Sequence, residues 1–330
     1  MRYGKQLIVA TKEYARDNKA RSWWVLLSSG SLLTIALMGT LWNVHLAAKI
    51  GCSLLSGLLL VRFFVIYHDH QHKAILTRSR LANLLMKGFG LLILTPSSIW
   101  QASHDHHHHH NSKLMGSGFG SFPVMTKDGY LSMSRIQRFQ YLFIRHPLTL
   151  LFGYITVFMV GMSLMPFLGR PRRHFDGFLA LALHAGLATV LLFWAGWLSM
   201  LLFLIAPCFI SSAIGSYLFY AQHNFPDVLY MDKDGWTHEV AAMESSSYFK
   251  TGPLMSWFTA NIGYHHIHHL NARIPFYRLP EVMKKMPELQ APKTTSLKLA
   301  EIYRCLRLKV WDVQAQKMIG LAEVRSAATG

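Results

Sequence analysis

Charged residues are scarce in this 330-residue sequence. Only 15% of the residues are Asp, Glu, Lys or Arg, whereas 52% are hydrophobic. A soluble domain usually carries nearer to a quarter charged residues. The hydrophobic residues are also gathered into long blocks, which is the arrangement that a bilayer requires. This composition excludes an ordinary soluble globular protein and predicts an integral membrane protein.

Cysteine is almost absent, and several familiar motifs are missing. The three cysteines, Cys52, Cys208 and Cys305, are far apart in the sequence, which excludes a disulfide framework and a thiolate metal site. We find no solenoid repeat, no phosphate-binding glycine loop and no fused electron-carrier domain. Any metal site of this chain therefore needs ligands other than thiolates.

Acidic residues are few, and the excess of basic residues needs an explanation. There are 16 acidic and 33 basic residues, a formal net charge of +17. No nucleic-acid-binding module accompanies this charge, so we expect no nucleic-acid partner. The basic residues instead flank hydrophobic blocks, as do Arg16, Lys19 and Arg21. That pattern is typical of cytoplasmic loops that contact anionic headgroups.

The long hydrophobic blocks predict four transmembrane helices. A helix that starts at Ile50 rises roughly 27 Å by His68, so His68 emerges on the side of the membrane on which the N-terminus begins. A turn is expected near Ala195–Trp197, between the last two spans. The predicted spans are Trp23–Ala48, Ile50–Tyr67, Phe178–Ala195 and Trp197–Tyr220.

Two further hydrophobic blocks are predicted not to cross the membrane. Leu81–Pro96 is short and interrupted, so we expect it to be interfacial or re-entrant. If His108 and His223 belong to one site, the chain between them crosses an even number of times. The basic run Arg170–Arg173 belongs on the cytoplasmic side. Leu148–Leu168 is therefore predicted to dip into the membrane and return, or to lie in the interface.

The fold class that follows is an all-α integral membrane protein with a cytoplasmic helical cap. We expect one domain over residues 1–330, with a cytoplasmic N-terminus (1–22), a membrane region (23–222) and a cap (223–330). Both termini are predicted to be cytoplasmic. Leu297–Val310 has the pattern of an amphipathic helix that lies against the membrane surface.

Histidine is abundant, and most of the 19 histidines fall into three groups. Residues four apart, or three and four apart, share one helix face, and each group has such a spacing. A further histidine, His223, lies at the predicted cytoplasmic end of the last span. The candidate metal ligands are His68, His72, His104, His107, His108, His223, His265, His268 and His269.

This set of imidazoles indicates a metal centre. Neutral imidazole suits iron, copper, zinc and nickel, so the ligand type does not identify the metal. The set is too large for one ion, and two ions fit better. Asp69 and Asp105 are expected either to orient ligand imidazoles or only to cap helices. The groups also contain His70, His106, His109, His110 and His266, whose part remains open.

Isolated polar residues within the spans have a structural interpretation. His45 and His184 are expected to make packing or polar contacts, not to bind metal. Arg62 is expected to extend to the membrane interface. The run of histidines from His106 to His110 is, taken alone, also compatible with a low-complexity tract. The shared spacing of three groups on one predicted face favours the metal centre.

At these residues the chain resembles the membrane fatty acid desaturases, which have boxes of the form H-x(3)-H, H-x(2)-H-H and H-x(2)-H-H. His68–His72 matches the first box, His104–His108 the second and His265–His269 the third. Residues 261–278, with the third box, are similar to acyl-lipid desaturases that include the omega-6 (Δ12) enzymes. The motif around His223, YAQHNF, is similar to an additional histidine motif of these enzymes.

The resemblance implies two iron ions held by these imidazoles, with O2 as co-substrate. It also implies a membrane lipid acyl chain as substrate and an external ferredoxin or cytochrome b5-type electron donor. Hydroxylation or ketolation of a fatty acid, alkane or carotenoid on the same scaffold is the alternative reaction. A non-enzymatic histidine-rich metal-binding membrane protein is the alternative of a different class, and it would need polar residues along the spans.

Overall fold

The computed structural model describes residues 2–326. Met1 and residues 327–330, the outer ends of the two predicted cytoplasmic segments, lie outside the described residues. The chain begins with α1 (Gly4–Ala10), a 3-10 turn (Thr11–Tyr14), α2 (Lys19–Leu41), α3 (Leu46–Gln71), α4 (Arg80–Leu92) and α5 (Ser97–His110).

The first two hydrophobic blocks form a pair of packed helices, as the sequence predicts. Asn18 caps α2 by accepting a hydrogen bond from the Arg21 backbone N–H. The boundary between the helices differs from the prediction, because α2 ends at Leu41 and α3 begins at Leu46. His45 is therefore the residue that precedes α3 and does not lie inside a span.

Arg62 does not extend to the interface, so that prediction was wrong. Its side chain is buried in α3 and its Nε donates to Ser29 Oγ of α2 at 3.0 Å. Its Nη1 donates to the Trp257 carbonyl, and its guanidinium carbon lies 4.1 Å from the Trp257 ring centroid. These partners reduce the free-energy cost of burying the Arg62 charge. Because they belong to α2 and to the cap, Arg62 joins the two spans to the cap.

The middle of the chain contains shorter helices followed by a long hydrophobic hairpin. The elements are α6 (Lys127–Ser132), α7 (Arg135–Ile144), α8 (Pro147–Leu151), a π-helix (Tyr154–Leu164), α9 (Met165–Gly169), α10 (Phe175–Met200), a second π-helix (Leu201–Ile205) and α11 (Ala206–His223). Ser134 and Gln137 form a capping box at the start of α7.

Three helical segments among the described residues are long and hydrophobic enough to cross a membrane: Lys19–Leu41, Leu46–Gln71 and Phe175–His223. The third has 49 residues, and a straight helix of that length would extend ~74 Å, more than twice a hydrocarbon core. It is interrupted at Gly196, which has φ 83° and ψ 167°. This break lies where the sequence predicts a turn between two spans.

The two blocks that were predicted not to cross are bent or short. Helices α4 and α5 meet at an angle of 92°, which suits a broken span or a re-entrant segment. Tyr154–Gly169 is a shorter hydrophobic helix. Ser163 Oγ, within it, donates to the Leu94 carbonyl just after α4 at 3.2 Å, so the two blocks pack against each other.

The cap is mainly helical but contains two small sheets that the sequence does not indicate. Its helices are α12 (His238–Glu244), α13 (Pro253–Phe258), α14 (His265–Leu270), α15 (Leu279–Lys285), α16 (Leu299–Arg307) and α17 (Leu321–Ser326), with 3-10 turns at Phe276–Arg278 and Pro287–Leu289. The strands of the cap are β2 (Tyr248–Lys250), β3 (Thr294–Ser296), β4 (Leu308–Asp312) and β5 (Lys317–Gly320), and β1 (Met125–Thr126), which joins one of the sheets, comes from the chain before α6.

Strand β4 lies at the centre of the larger sheet, parallel to β1 and antiparallel to β5. Strands β2 and β3 form a parallel pair. The predicted amphipathic helix Leu297–Val310 is correct only for α16, because Leu308–Val310 belong to β4. Apolar Leu308, Val310 and Trp311 are buried in that strand, and their burial in the sheet ends the helix.

The N-terminal segment packs on the cap. Arg2 Nε donates to Glu288 Oε1 at 2.9 Å, and the Gly4 backbone N–H donates to Glu239 Oε2 at 2.5 Å. The Asn18 N–H donates to Tyr277 Oη at 2.9 Å. These contacts place the N-terminal segment and the cap on one side of the helical hairpin α2–α3.

Candidate metal centre

Four helix segments carry the histidines to one region. His68 lies in the last turn of α3, and His72 follows directly after it. Helix α5 carries the second box on its buried face, and α14 consists of the sequence HHIHHL. His223 is the last residue of α11. The i, i+3 and i+4 spacing turns the imidazoles of each helix toward a common point.

Five of the nine sequence-predicted histidines form a first group. Their ligating atoms all lie within 4.8 Å of one another, and the members are His68, His72, His104, His108 and His268. The Nε2 atoms of His68 and His104 are 3.0 Å apart, those of His104 and His108 are 3.2 Å apart, and those of His108 and His268 are 3.1 Å apart. This group could hold one metal ion.

The other four predicted histidines form a second group under the same 4.8 Å criterion: His107, His223, His265 and His269. The Nε2 atom of His107 lies 3.1 Å from that of His223 and 3.3 Å from that of His269. The corresponding distance between His223 and His265 is 2.8 Å. This group could hold a second metal ion.

The two groups are adjacent. The rings of His108 and His269, one from each group, are stacked with centroids 4.2 Å apart. The alternating contributions of α5 and α14 explain this proximity, because each helix supplies ligands to both groups. Two ions in these positions would be close neighbours in one dimetal centre.

The outer nitrogens of several rings have hydrogen-bond partners, and one of these partners, the Ser245 carbonyl, can only accept. His68 Nδ1 lies 3.2 Å from Asp69 Oδ1, His107 Nδ1 lies 2.6 Å from Ser121 Oγ, and His223 Nδ1 lies 3.0 Å from the Ser245 carbonyl. An N–H at Nδ1 leaves the Nε2 lone pair free, and metal-bound histidines usually show this arrangement. The Nε2 lone pairs then face one another across each group.

These donors fit a cation. Lone pairs that converge at about 3 Å repel unless a proton or a metal ion lies between them. Burial, reinforced by neighbouring imidazoles, holds the pKa of His265, His268 and His269 well below the ordinary value. These rings are therefore neutral at pH 7, and neutral imidazole is the form that binds metal.

The remaining histidines of the boxes lie outside both groups. His266 Nε2 lies 3.2 Å from the Leu289 carbonyl, and His70 Nδ1 lies 3.2 Å from the Ile75 carbonyl. His106 and His110 stack on each other with centroids 3.9 Å apart, and His109 contacts the Asp105 carbonyl. Away from the boxes, His184 contacts Tyr154, in agreement with a packing role.

The two aspartates that were considered as partners of ligands differ. Asp69 is buried, and in addition to its contact with His68 its Oδ2 accepts a hydrogen bond from the Phe276 N–H at 2.6 Å. Asp105 is exposed on the other face of α5. In residues 2–326 its carboxylate forms no hydrogen bond with an imidazole of either group.

A large cavity reaches the histidines from within the helical bundle. Its volume is about 520 Å³, and most of its lining side chains are apolar. At one end it is bordered by His68, His104 and His265. Leu60 also lines the cavity. It precedes His68 by eight residues of α3, so the cavity follows this helix for ~12 Å. Other lining residues are Val61, Phe64, Val65, Phe158, Met162, Ser212, Gly215 and Phe219.

Comparison with known proteins identifies the family. The sequence profile described as "Fatty acid desaturase" matches residues 44–297. A protein of Bacillus subtilis (strain 168) named "Fatty acid desaturase" is 30% identical over 285 residues, which are 86% of this chain and 80% of that protein. The chain belongs to the fatty acid desaturase family. The matched region contains all nine histidines of the two groups.

Membership makes this desaturase an oxidoreductase that acts on an acyl chain. Its long hydrophobic helices agree with a membrane protein, and its histidine groups agree with the use of a metal. The sequence had indicated this family through the spacing of the boxes.

Sequence reasoning missed several residues of the desaturase site. Ser121 and Ser245 contact His107 and His223, yet they lie far from any box and belong to no motif. Arg145 is fully buried near the second group, although the basic residues had been assigned to membrane-flanking loops. One signal was present: Arg145 follows a capped amphipathic helix.

Proposed function

We propose that this chain is a membrane acyl-lipid desaturase that uses O2 to introduce a double bond into an acyl chain. The observation that carries the proposal is the pair of adjacent imidazole groups at the end of a mainly apolar cavity. A hydrocarbon chain suits such a cavity, since apolar surface gains free energy when it leaves water. The bundle of long hydrophobic helices around the cavity supports a substrate held in the bilayer.

We propose that the nine histidines hold two iron ions. The first group would supply five nitrogen ligands and the second group four. Bound iron would supply the oxidation of unactivated methylene groups by O2, chemistry that amino-acid side chains alone cannot perform. In the balanced reaction, a CH2–CH2 unit loses two hydrogens, and O2 takes these with two electrons and two protons to form two waters.

The chain's own contribution is position and exclusion of water. Phe64, Val65 and Phe219 line the cavity near the histidines and would hold two methylene carbons close to the ligands. Fixing the reacting groups in this way lowers the entropic part of the barrier. Asp69, through its contact with His68, would keep one ligand ring in its orientation.

The electrons must come from outside the chain. Residues 1–330 contain no recognised electron-carrier domain, so we propose a ferredoxin or a cytochrome b5-type protein as donor. We also propose that the histidine groups, the cap and both termini are cytoplasmic, which would expose the centre to a soluble donor. The basic loops support this orientation.

Expression in a host that lacks polyunsaturated lipids tests the proposal. Mass spectrometry of the host's fatty acids should show a new double bond in chains that are esterified to membrane lipids. A new hydroxyl or keto group without a double bond would instead establish the alternative oxidation. Unchanged acyl chains, in cells where the intact protein is present in the membrane and supplied with a donor, would contradict both.

A further inference from the structure

A second, much smaller cavity lies beside the second histidine group. Its free volume is about 20 Å³, enough for one water molecule. The lining residues that matter are Arg145, Asn224, Ser112, Ser121, His107 and His223. The cavity thus lies between the buried guanidinium of Arg145 and two of the proposed metal ligands, His107 and His223.

Arg145 lines this cavity and has one donor without a hydrogen-bond partner. Its guanidinium is fully buried, and in residues 2–326 it forms no ion pair with a carboxylate. Nη1 donates to the Pro123 carbonyl at 2.8 Å, and Nη2 donates to Asn224 Oδ1 at 2.5 Å. Nε is buried without a partner. An unmade hydrogen bond at a buried charged group is costly, so this N–H requires an acceptor.

Two hydroxyl groups of the same lining, those of Ser121 and Ser112, can form further hydrogen bonds. Ser121 Oγ lies 2.6 Å from His107 Nδ1, and this nitrogen carries the proton when Nε2 faces the histidine group. Ser121 then accepts, and its own hydroxyl proton finds no acceptor among the described side chains. Ser112 Oγ is buried without a partner. Among the described lining residues, Arg145 Nε and Ser112 Oγ are therefore without partners, and the Ser121 hydroxyl proton is free to be donated.

The loop that carries Ser121 is built for this contact. Gly120 has φ +74°, and a Cβ at this position would lie 2.0 Å from the Ser103 carbonyl oxygen. Ser103 precedes His107 by one helical turn of α5. Only glycine permits both the backbone conformation and the close approach, which brings Ser121 Oγ within hydrogen-bond distance of His107 Nδ1.

We propose that this cavity holds one ordered water that links Arg145 to Ser121 and thereby positions His107. The water accepts from Arg145 Nε–H and from the Ser121 hydroxyl, and it donates to Ser112 Oγ. Three partners are typical of a buried water. The inference rests on the proposed function, because His107 needs this support only as a ligand. Ser121 is then a positioning residue for the second of two metal positions.

Metal binding to the purified full-length chain tests the link. The wild type, Ser121→Ala, Ser121→Thr and Ser117→Ala are titrated anaerobically with Fe²⁺ against a chelator. In Ser121→Ala one of two equivalents should bind roughly 10- to 100-fold more weakly, the usual effect of losing a ligand's partner. Ser121→Thr should restore binding because it keeps the hydroxyl. Ser117→Ala is the control, since Ser117 lines the same cavity without contacting His107.

The outcomes separate this inference from the proposed function. Two equivalents in every variant with unchanged affinity would overturn the role of Ser121 and leave the dimetal centre intact. A wild type that retains no Fe²⁺ would overturn both. Equal weakening of the two equivalents in Ser121→Ala would show general damage and would also count against the inference.

An experimental structure of the wild type grown with bromide tests the occupant itself, independently of the variants. We expect a density peak within hydrogen-bond distance of Arg145 Nε and Ser121 Oγ, without anomalous signal at the bromine edge. An anomalous peak would identify a halide and overturn the water. A cavity without density would overturn the link.

Discussion

His266 and His268 are two positions apart on α14, and both side chains are completely buried, yet their ring nitrogens have different neighbours. His268 Nε2 faces His108 Nε2 at 3.1 Å, whereas His266 Nε2 faces the Leu289 carbonyl. We expect His268→Ala to lower desaturation by more than roughly 100-fold. Mutation of a residue that only hydrogen-bonds to a metal ligand already lowers activity roughly 10- to 100-fold, and the loss of a ligand itself should cost more. Product analysis in the expression host measures this loss.

His266→Ala is the matched control on the same helix. Its hydrogen bond to a backbone carbonyl predicts a loss of stability of about 1–3 kcal/mol while desaturation per folded molecule persists. Thermal unfolding together with metal content separates the two effects. Turnover retained in His268→Ala, or metal lost in His266→Ala, would show that the assignment of ligands in the third box is wrong.

Asp69 and Asp105 provide a second comparison at the scale of single residues. Asp69 Oδ1 and Oδ2 face two donors, His68 Nδ1–H and the Phe276 N–H. Asp69→Asn replaces one oxygen by an NH2 group, which cannot accept. We expect Fe²⁺ affinity of the first group to fall roughly 10- to 100-fold, measured by chelator competition.

Asp105→Asn is the control for that change. Asp105 is exposed, and its carboxylate contacts no imidazole of the two groups, so metal affinity and activity should stay within twofold of the wild type. Equal losses in the two variants would indicate that the carboxylates act through overall charge. Unchanged affinity in Asp69→Asn would remove Asp69 from the proposed site.

At the scale of elements, α3 and α11 form walls of the large cavity, and α11 contributes a glycine to it. Gly215 lines the cavity, and a Cβ there would meet nothing within 4 Å. Gly215→Leu therefore places side-chain volume in the cavity, and its Cβ meets no other atom. We expect conversion of the longest acyl chains to fall roughly 10-fold or more, as small changes in apolar pockets do, while shorter chains are still converted.

Gly186→Leu is the corresponding control in α10. A Cβ at Gly186 would also meet nothing within 4 Å, but this glycine does not line the cavity. The ratio of long to short products, determined by gas chromatography of the host's lipids, should match the wild type. A shift in that ratio for Gly186→Leu as well would mean that bilayer packing, and not cavity length, selects the chain.

The elements that were predictable from sequence are those with strong local periodicity. The long hydrophobic helices, the break at Gly196 and the shared faces of the histidine boxes all follow from spacing along a helix. The short strands do not, because β1 has two residues and its pairing with β4 depends on a partner 185 positions away (310 − 125). The contact of Ser121 with His107 likewise depends on the path of a loop around Gly120.

Buried charge was the other failure of prediction, and it has a common cause. From the sequence, Arg62 was expected to extend from its span to the interface and the other basic residues to flank the membrane, but Arg62 and Arg145 are both buried with hydroxyl, carbonyl and amide partners. A sequence shows where a charge lies along the chain but not which distant carbonyls surround it. Residues that join the spans to the cap are therefore not visible in a hydropathy pattern.

At the scale of the whole molecule, the start of α5 lies beside the end of α3. Tyr67 Oη donates to the Thr95 carbonyl at 2.9 Å, and Gln71 Nε2 donates to Ser97 Oγ at 3.3 Å. Helix α5 therefore begins at the same depth as His68. Helix α5 also ends with the second box. Both ends of α5 therefore lie near the histidine groups, and the helix runs alongside them.

The chain between α7 and α10 begins and ends beside helices that carry the histidines. Before it, Arg145 donates to Asn224, the neighbour of His223. After it, His174 Nδ1 lies 2.7 Å from Ser98 Oγ, and Asp176 accepts from the Ser98 N–H at 2.9 Å. A segment with both ends at one level makes no net crossing. This arrangement supports the prediction that Leu148–Leu168 dips into the membrane and returns or lies in the interface.

Cysteine labelling tests that topology in a variant with Cys52, Cys208 and Cys305 changed to alanine. Trp42→Cys, in the exposed turn between α2 and α3, should react with an impermeant maleimide in intact cells. Lys5→Cys and Arg172→Cys, both at exposed positions, should react only after permeabilisation. Labelling of Arg172→Cys from outside would mean that residues 147–169 cross the bilayer. His108 and His223 could then share one face only if another segment between them did not cross.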